Sequence, residues 1–234
     1  MKPIGLLGGM SWESTAVYYR HLNERMRDLR GGLASAELVV RSFDFARIVA
    51  LQKKGAWDEA GQTLAEAACG LEAAGAKVII ICTNTMHLLA DQVASATTIP
   101  LLHIVDATAE KIVAAGYGRP LLLATRYTME QDFYKGRLKQ KYGLDALVPD
   151  EADRTIVHDV IFDEICQGII SPQSQATYQR IIEKGAAQGA DCVILGCTEI
   201  GLLIGNLPTA VPPFDSTLLH ADAAFDFALA DQAA

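Results

Sequence analysis

The sequence has 234 residues, half of them hydrophobic, which suits one large domain or two small lobes with substantial cores. Its formal net charge is −8 and it has no basic stripe, so we expect no nucleic-acid partner. No apolar segment approaches the roughly 20 residues of a membrane-spanning helix, and the N-terminus lacks a long apolar leader, so we expect a cytoplasmic protein without a membrane partner.

Short apolar runs alternate with longer amphipathic patterns along the chain. Strand-like runs lie at 3–8, 36–43, 76–82, 99–105, 119–124 and 191–196. Helical spacing of apolar residues is clearest at 57–75, 156–169 and 176–189. This alternation predicts an α/β fold, with mostly parallel sheets flanked by helices. The strands are almost continuously apolar, as expected when both faces of a sheet are buried.

Two pairs of segments repeat at nearly the same offset. "AKVIIICTNT" (76–85) aligns with "ADCVILGCTE" (190–199), and "GLLGGMSWESTAVYY" (5–19) aligns with "LLLATRYTMEQDFY" (121–134). In the first alignment Cys82 falls on Gly196 and Thr83 falls on Cys197. Chance similarity between apolar strands is the alternative interpretation. We predict two similar lobes, 1–100 with 206–234 and then 101–205, facing each other across a cleft where a pocket forms.

Four polar turns follow predicted strands: "GGMS" (8–11), "TNT" (83–85), "ATRYT" (124–128) and "GCTE" (196–199). Ligands bind beyond the carboxyl ends of strands in open α/β sheets, and free N–H groups at helix starts bind carboxylates. We expect each turn to open a helix, with a capping box between Thr128 and Gln131. The glycines at 8 and 9 would let the backbone approach a ligand closely. Neither GxGxxG nor a P-loop lysine is present, so no nucleotide-phosphate fingerprint is predicted.

The five cysteines are scattered and include no CxxC pair, which argues against a disulfide framework or a zinc site. Cys197 follows a strand at a predicted helix N-terminus, a location that should favour the thiolate and lower the pKa of the thiol. We therefore favour a functional role for Cys197. Cys82 is one residue before Thr83, so its side chain should point to the other face, into packing. Structural, buried positions are expected for Cys69, Cys166 and Cys192.

Several residues near these turns admit two interpretations. His87 could orient a group near Thr83 or be a satisfied core histidine. Glu199 could tune the proton affinity of Cys197 or cap a helix. Arg47 and Gln52 could meet a second substrate carboxylate, although a solvated helix face is the more frequent role. No constellation is evident around His21, His158 or His220.

The motifs "GLLGGMSWEST", "CTNTMH", "TRYTMEQDFY" and "GCTEIGLL" together resemble the aspartate/glutamate racemase family, in particular its aspartate-racemase branch. The resemblance covers essentially the whole chain. It implies two pseudo-symmetric α/β lobes, often paired as a homodimer, and inversion of the α-carbon of acidic amino acids without PLP, metal or nucleotide. In this family two cysteines exchange the α-proton from opposite faces of the substrate. The second carries over to Cys197, whereas the position of the first is Thr83.

Thr83 is a departure from that pattern, because a hydroxyl is far harder to deprotonate than a thiol. Three outcomes are open: racemisation with unequal rates from the two faces, exchange of the α-proton without efficient inversion, or single-cysteine chemistry as in the related arylmalonate decarboxylases. A non-catalytic amino-acid-binding protein is a further alternative. Glu199 stands where the glutamate-racemase branch typically has His, so the aspartate branch fits better, with Asp, Glu or a broader range as substrates.

The resemblance and the repeat together predict the composition of the site. Cys197 and Thr83 are the predicted catalytic residues. No metal ligands or cofactor are expected, and the predicted partners are a small acidic amino acid and a second copy of the chain. The predicted substrate-binding residues are Met10, Gln52, Asn84, Thr85, Thr125, Thr128, Thr198 and Glu199.

Overall fold

The computed structural model describes residues 1–230, in which strands and helices alternate. The strands are β1 (Ile4–Gly8), β2 (Leu38–Ser42), β3 (Val78–Ile81), β4 (Leu101–Leu102), β5 (Pro120–Leu123), β6 (Cys192–Leu195) and β7 (Pro213–Asp215). The α-helices are α1 (Trp12–Arg30), α2 (Phe45–Lys54), α3 (Trp57–Ala73), α4 (Ala90–Ser95), α5 (Ile104–Ala114), α6 (Arg126–Glu130), α7 (Asp132–Tyr142), α8 (Glu151–Asp163), α9 (Pro172–Ala187), α10 (Ile200–Ile204) and α11 (Ser216–Leu229). Two 3₁₀ helices span Thr85–Leu89 and Ile165–Gln167.

The chain forms two compact units, each built on its own parallel sheet. The first unit runs to Ile104 and resumes at His220, and the second runs from Val105 to Leu219. The predicted boundaries were wrong at two segments. Residues 101–104 belong to the first unit because β4 pairs with β3, and residues 206–219 belong to the second because β7 pairs with β6.

The sheet of the first unit has the strand order β2-β1-β3-β4, and all its pairings are parallel. Alternate residues of β3 enter different core clusters, as the pleat requires. Ile79 and Ile81 pack with residues of α2 and α3, whereas Val78 and Ile80 pack with residues of α1 and α11. Helices therefore cover both faces of this sheet, which explains its continuously apolar strands.

The sheet of the second unit has the order β5-β6-β7, again parallel. On the outer side of β5, Leu147 forms an isolated bridge with Leu121 where the first sheet has the complete strand β2. Helix α9 packs closely on β5, because a Cβ at Gly185 would lie 2.6 Å from the Leu121 side chain. The predicted α/β class, with parallel sheets flanked by helices, is confirmed.

The internal repeat reappears in the hydrogen bonds of the two units. Cys82 donates its backbone N–H to the Leu7 carbonyl at 2.9 Å, and Gly196 donates to the Leu123 carbonyl at 2.7 Å. These donors and acceptors are the residues that the sequence alignment paired. Thr83 and Cys197 each follow the donor directly, so they occupy equivalent positions in the two units.

Some element boundaries differ from those predicted. Helix α8 begins at Glu151, where the Asp150 side chain caps the Asp153 N–H, and α9 begins at Pro172 after its cap Ser171. Strand β7 was missed because it is only three residues long and begins with proline. Among the described residues, no helix combines the length and the apolar character required to cross a membrane.

Candidate active site

In the first unit, the predicted site residues gather beyond the carboxyl ends of β1 and β3. These strands are parallel neighbours, so Met10, two residues after β1, and Thr83–Thr85, shortly after β3, lie at the same edge of the sheet. Gly9 has φ +80° and lies against the Phe43 backbone, where a Cβ would clash. A Cβ at Gly8 would likewise lie 2.5 Å from the Thr15 side chain. Packing within the chain therefore requires glycine at both positions, and the close ligand approach predicted for them stays a prediction.

Gln52 reaches the same edge of the sheet from α2. It is buried, and its Nε2 lies 3.1 Å from the Sδ of Met86, which directly follows the Thr83–Thr85 turn. Met10 and Met86 belong to one core cluster. Arg47, by contrast, is exposed, as expected for a solvated helix face. Gln52 is thus the member of this pair that lies near the candidate site.

Thr83 is half-buried, and its backbone is held by His87. The Nδ1 of His87 lies 2.8 Å from the Thr83 carbonyl oxygen, and the Ile104 N–H donates to His87 Nε2 at 3.2 Å. A carbonyl only accepts and an N–H only donates, so these contacts fix a neutral imidazole protonated at Nδ1. The Thr83 hydroxyl itself has no hydrogen-bond partner among residues 1–230.

A second buried histidine lies beside His87, contrary to the expectation that His220 has no constellation. The two ring centroids are 5.4 Å apart. His220 Nδ1 accepts from the Tyr18 hydroxyl at 2.9 Å, and its Nε2 donates to the Leu102 carbonyl at 3.0 Å. Burial lowers the pKa of His220 to about 4. Burial, followed by the neighbouring His103 and His220, also lowers the pKa of His87 well below its usual value.

In the second unit, the predicted residues follow the neighbouring strands β5 and β6. Gly196 allows the two strand ends to approach closely, because a Cβ there would lie 2.8 Å from a Leu122 methyl group. Thr125 caps α6, accepting the Thr128 N–H at 3.4 Å, and the two hydroxyls lie 3.2 Å apart. The predicted capping box was wrong because α6 begins three residues earlier than it required. Each of the four polar turns nevertheless precedes a helix, as predicted.

Cys197 and Glu199 form the central contact of the second unit. Cys197 Sγ lies 3.0 Å from Glu199 Oε2, and the Thr198 hydroxyl donates to the same oxygen at 2.5 Å. Burial, followed by the Glu199 charge, raises the pKa of Cys197 well above its usual value. The prediction of a lowered pKa was wrong, because burial and a neighbouring carboxylate outweigh the start of a helix only five residues long. Glu199 makes no side-chain capping bond to α10, and its carboxylate contacts the Cys197 thiol instead.

The other cysteines differ in their surroundings. Cys82 is fully buried in the apolar cluster that includes Ile80 and Tyr18, as the alternation of strand residues predicted. Burial raises its pKa strongly. Cys192 is also buried, Cys166 is half-buried, and Cys69 is exposed on α3, contrary to its predicted burial.

The described residues contain no group of three or more His, Cys, Asp or Glu side chains arranged to hold a metal ion. A cavity of about 840 Å³ lies in the first unit between β2, α2 and α3, and none of the predicted site residues lines it. The predicted site residues fall into two sets, one in each unit. Met10, Gln52, Thr83, Asn84 and Thr85 belong to the first unit, and Thr125, Thr128, Cys197, Thr198 and Glu199 belong to the second.

Comparisons with known proteins identify similar chains. The model of the family described as Asp/Glu/hydantoin racemase matches residues 7–224. The crystal structure of a candidate Asp/Glu racemase from Yersinia pestis is 51% identical, with 98% of this chain and 100% of that chain covered and a TM-score of 0.91. An aspartate racemase homologue from Pyrococcus horikoshii OT3 is 34% identical, with coverages of 97% and 99% and a TM-score of 0.85. The broad-specificity amino-acid racemase RacX of Bacillus subtilis (strain 168) is 26% identical over 160 residues, 68% of each chain.

Proposed function

Because the chain belongs to the Asp/Glu/hydantoin racemase family, we propose that it inverts the α-carbon of aspartate, glutamate or both, with Cys197 and Thr83 as the reacting groups. The predicted family and the predicted enzyme class, an amino-acid racemase, are confirmed. The observation that carries the finer proposal is the equivalence of Thr83 and Cys197 in the two units. Their placement on opposite faces of one substrate is part of the proposal.

Cys197 is the stronger base of the proposed pair because Glu199 can take its proton. The thiol and the carboxylate are 3.0 Å apart, within reach for direct transfer. Transfer leaves a thiolate beside a neutral carboxylic acid, so the net charge of the buried pair is unchanged. The thiolate then removes the substrate α-proton, which restores the thiol and leaves a carbanion stabilised by the adjacent carboxylate.

Thr83 completes the inversion by protonating the carbanion from the other face. Its hydroxyl transfers one proton to the α-carbon and must recover one afterwards. The side chain is half-buried, so water can supply that proton. Glu199 then gives up the proton that it took from Cys197, which restores the starting protonation states. In the reverse direction a hydroxyl is a poor base, because no carboxylate contacts it among residues 1–230. We therefore expect the α-proton that faces Cys197 to exchange with solvent much faster than the α-proton that faces Thr83, whereas kcat/KM for inversion is equal in both directions because the equilibrium constant between enantiomers is one.

The remaining predicted residues supply polar groups for an acidic substrate. Hydroxyl and amide groups at strand ends can donate hydrogen bonds to carboxylates, and the helix starts beside them favour negative charge. We assign this role to Asn84, Thr85, Thr125, Thr128 and Thr198, with Met10 and Gln52 forming part of the wall. Glu199 is assigned to Cys197 and not to the substrate, because its carboxylate already accepts the thiol.

A second candidate is single-cysteine chemistry on a small dicarboxylate, such as decarboxylation of a malonate. The observation that favours it is the difference between Cys197 and Thr83. Of these two residues, only Cys197 has a readily ionised group, its thiol, beside a proton acceptor, the Glu199 carboxylate. Release of carbon dioxide from malonate-type substrates distinguishes this candidate. A homodimer and a cytoplasmic location are further proposals, tested by light scattering and by cell fractionation.

Incubation with L-Asp, D-Asp, L-Glu and D-Glu in D₂O tests the proposal. Proton NMR follows loss of the α-proton, and chiral chromatography of the same samples measures inversion. Exchange with formation of the other enantiomer supports the racemase, and the initial rates of α-proton exchange from each enantiomer measure the asymmetry of the pair. Exchange without inversion supports the single-cysteine reaction. If none of the four exchanges, the acidic amino-acid assignment is wrong.

A further inference from the structure

His87 makes two contacts that connect Thr83 to the segment after β4. Its Nδ1–H donates to the Thr83 carbonyl, and its Nε2 accepts the Ile104 N–H. One rigid ring therefore joins the turn that bears the candidate acid to the start of α5. The side chain is 3% exposed, so solvent does not compete for either contact.

The far end of this connection is fixed by a second histidine. His220 donates to the Leu102 carbonyl, two residues before Ile104, and is itself held by the Tyr18 hydroxyl. The segment 102–104 is thus bound twice: His220 binds the Leu102 carbonyl, and His87 binds the Ile104 N–H. Ile104 is also the residue at which the chain leaves the first unit. A group bound to Ile104 is anchored to a well-fixed part of that unit.

We propose that His87 is the positioning residue for Thr83, holding the turn 83–87 so that the threonine hydroxyl meets the substrate α-carbon. This inference rests on the proposed racemase function. His87 does not touch the hydroxyl, and it acts through the Thr83 backbone carbonyl. The contact stabilises the turn because the 3₁₀ helix begins only at Thr85, and because the His87 N–H donates to Asn84 and not to Thr83.

Two substitutions of His87 each remove one of the two hydrogen bonds of its ring. In Asn the amide nitrogen lies as many bonds from the backbone as Nδ1 of His, so His87→Asn keeps a donor for Thr83 and loses the acceptor for Ile104. In Gln the amide oxygen reaches the position of Nε2, so His87→Gln keeps the acceptor for Ile104 and loses the donor for Thr83. His220→Gln is the matched control, since its amide nitrogen reaches the position of Nε2 and keeps the donor for the Leu102 carbonyl, while the acceptor for Tyr18 is lost and the turn is not touched.

The readout is the ratio of inversion to α-proton exchange in D₂O, measured with the enantiomer that is preferred by the wild type. Exchange requires Cys197 alone, whereas inversion also requires Thr83, and loss of folded protein lowers both equally. We expect His87→Gln to lower the ratio by about tenfold or more, the scale of a misplaced reacting group. We expect His87→Asn, which keeps the donor for Thr83 but loses the anchor at Ile104, to lower the ratio less than His87→Gln does, and His220→Gln to keep it within about twofold of the wild type.

A cycle with Thr83→Ala tests whether the effect passes through Thr83. In that background His87→Gln should leave the residual inversion rate unchanged, because the residue it positions is gone. A ratio unchanged in His87→Gln, or a further loss of inversion of similar size in the Thr83→Ala background, would overturn the inference. If the wild-type protein exchanges no α-proton, the proposed function fails and the inference falls with it.

A measurement on the wild-type protein covers the case in which the His87 variants do not fold. Long-range ¹H–¹⁵N correlation spectra distinguish the two neutral tautomers of each histidine ring. We expect one buried ring protonated at Nδ1, with a pKa well below that of an ordinary imidazole because it is buried. The five histidines give few enough signals to be assigned through substitution of the other four. An Nε2–H tautomer at His87 would break its contact with Thr83 and overturn the inference.

Discussion

Thr83 and Cys197 end equivalent strands in two similar units, yet their surroundings differ in almost every respect. Thr83 is half-buried, its hydroxyl has no partner among residues 1–230, and its carbonyl is held by the neutral His87. Cys197 is 9% exposed, and its thiol contacts the Glu199 carboxylate. The second unit therefore places a proton acceptor beside the Cys197 thiol. The first unit makes only a backbone contact to Thr83.

The difference shows how two units with the same strand framework can carry chemically different groups. The backbone contacts before each residue are the same, so the strand framework does not distinguish the two positions. The difference lies in later side chains: Glu199, two positions after Cys197, and His87, four positions after Thr83. We propose that Glu199 takes the proton of Cys197 and that His87 holds Thr83 in position.

Substitution of Cys197 by Ala should have the largest effect. Removing the proposed base should lower the rates of both α-proton exchange and inversion by at least about 10³-fold, because Thr83 cannot replace it. Deuterium incorporation and chiral chromatography measure the two rates. Cys69→Ser, which changes an exposed cysteine, is the control and should leave kcat/KM unchanged. Full activity in Cys197→Ala would remove the basis of the comparison.

The two buried histidines should make the free energy of unfolding depend on pH. The pKa of His220 is about 4 in the folded protein and about 6.5 when unfolded, so the unfolded chain binds more protons between these values. The stabilisation is complete above about pH 6.5 and is lost as the pH falls toward 4, a change of about 3 kcal/mol. Urea unfolding from pH 7 to 4 measures the slope. His220→Gln should be less stable at pH 7 and should show a shallower slope, and an equal slope would contradict the assignment.

Substitution of Glu199 by Gln tests the asymmetry from the thiol side. The variant should lose about 10²-fold in kcat, the scale of general-base catalysis, because the amide cannot take the thiol proton. Removing the carboxylate charge should also lower the pKa of Cys197 toward its ordinary value, although burial keeps it raised. Alkylation of Cys197 by iodoacetamide should therefore titrate at lower pH in the variant. A midpoint that moves upward would show that Glu199 does not act on the thiol.

Substitution of Thr83 by Cys should reduce the asymmetry. A thiol is easier to deprotonate than a hydroxyl, so α-proton exchange of the enantiomer whose α-proton faces position 83 should rise by about tenfold. Initial exchange rates of the two enantiomers measure the change. Thr83→Ser retains a hydroxyl and should keep the wild-type ratio of these rates. If Thr83→Cys folds and neither rate changes, position 83 does not face the substrate.

Local patterns predicted much of the fold and the pairing at its centre. Apolar runs located six of the strands, and the repeat paired Thr83 with Cys197 before any contact was known. Contacts between residues far apart in the chain could not be predicted from local patterns. His220 meets Leu102 across 118 positions, which no local pattern indicates. The pKa direction of Cys197 depended on burial and on where Glu199 points, and the position of a helix start could not reveal either.

The second unit is inserted within the first, and this order has a consequence for synthesis on the ribosome. Residues 105–219 are contiguous, whereas the first unit needs α11, which supplies Ala221 and Phe225 to its core. During translation the second unit can fold as soon as it emerges, because domains fold as units. The first unit must wait, with Tyr18 and Met26 uncovered, until the residues of α11 have been made. Ribosome-bound chains that end before residue 216 should therefore recruit chaperones through the α1 surface.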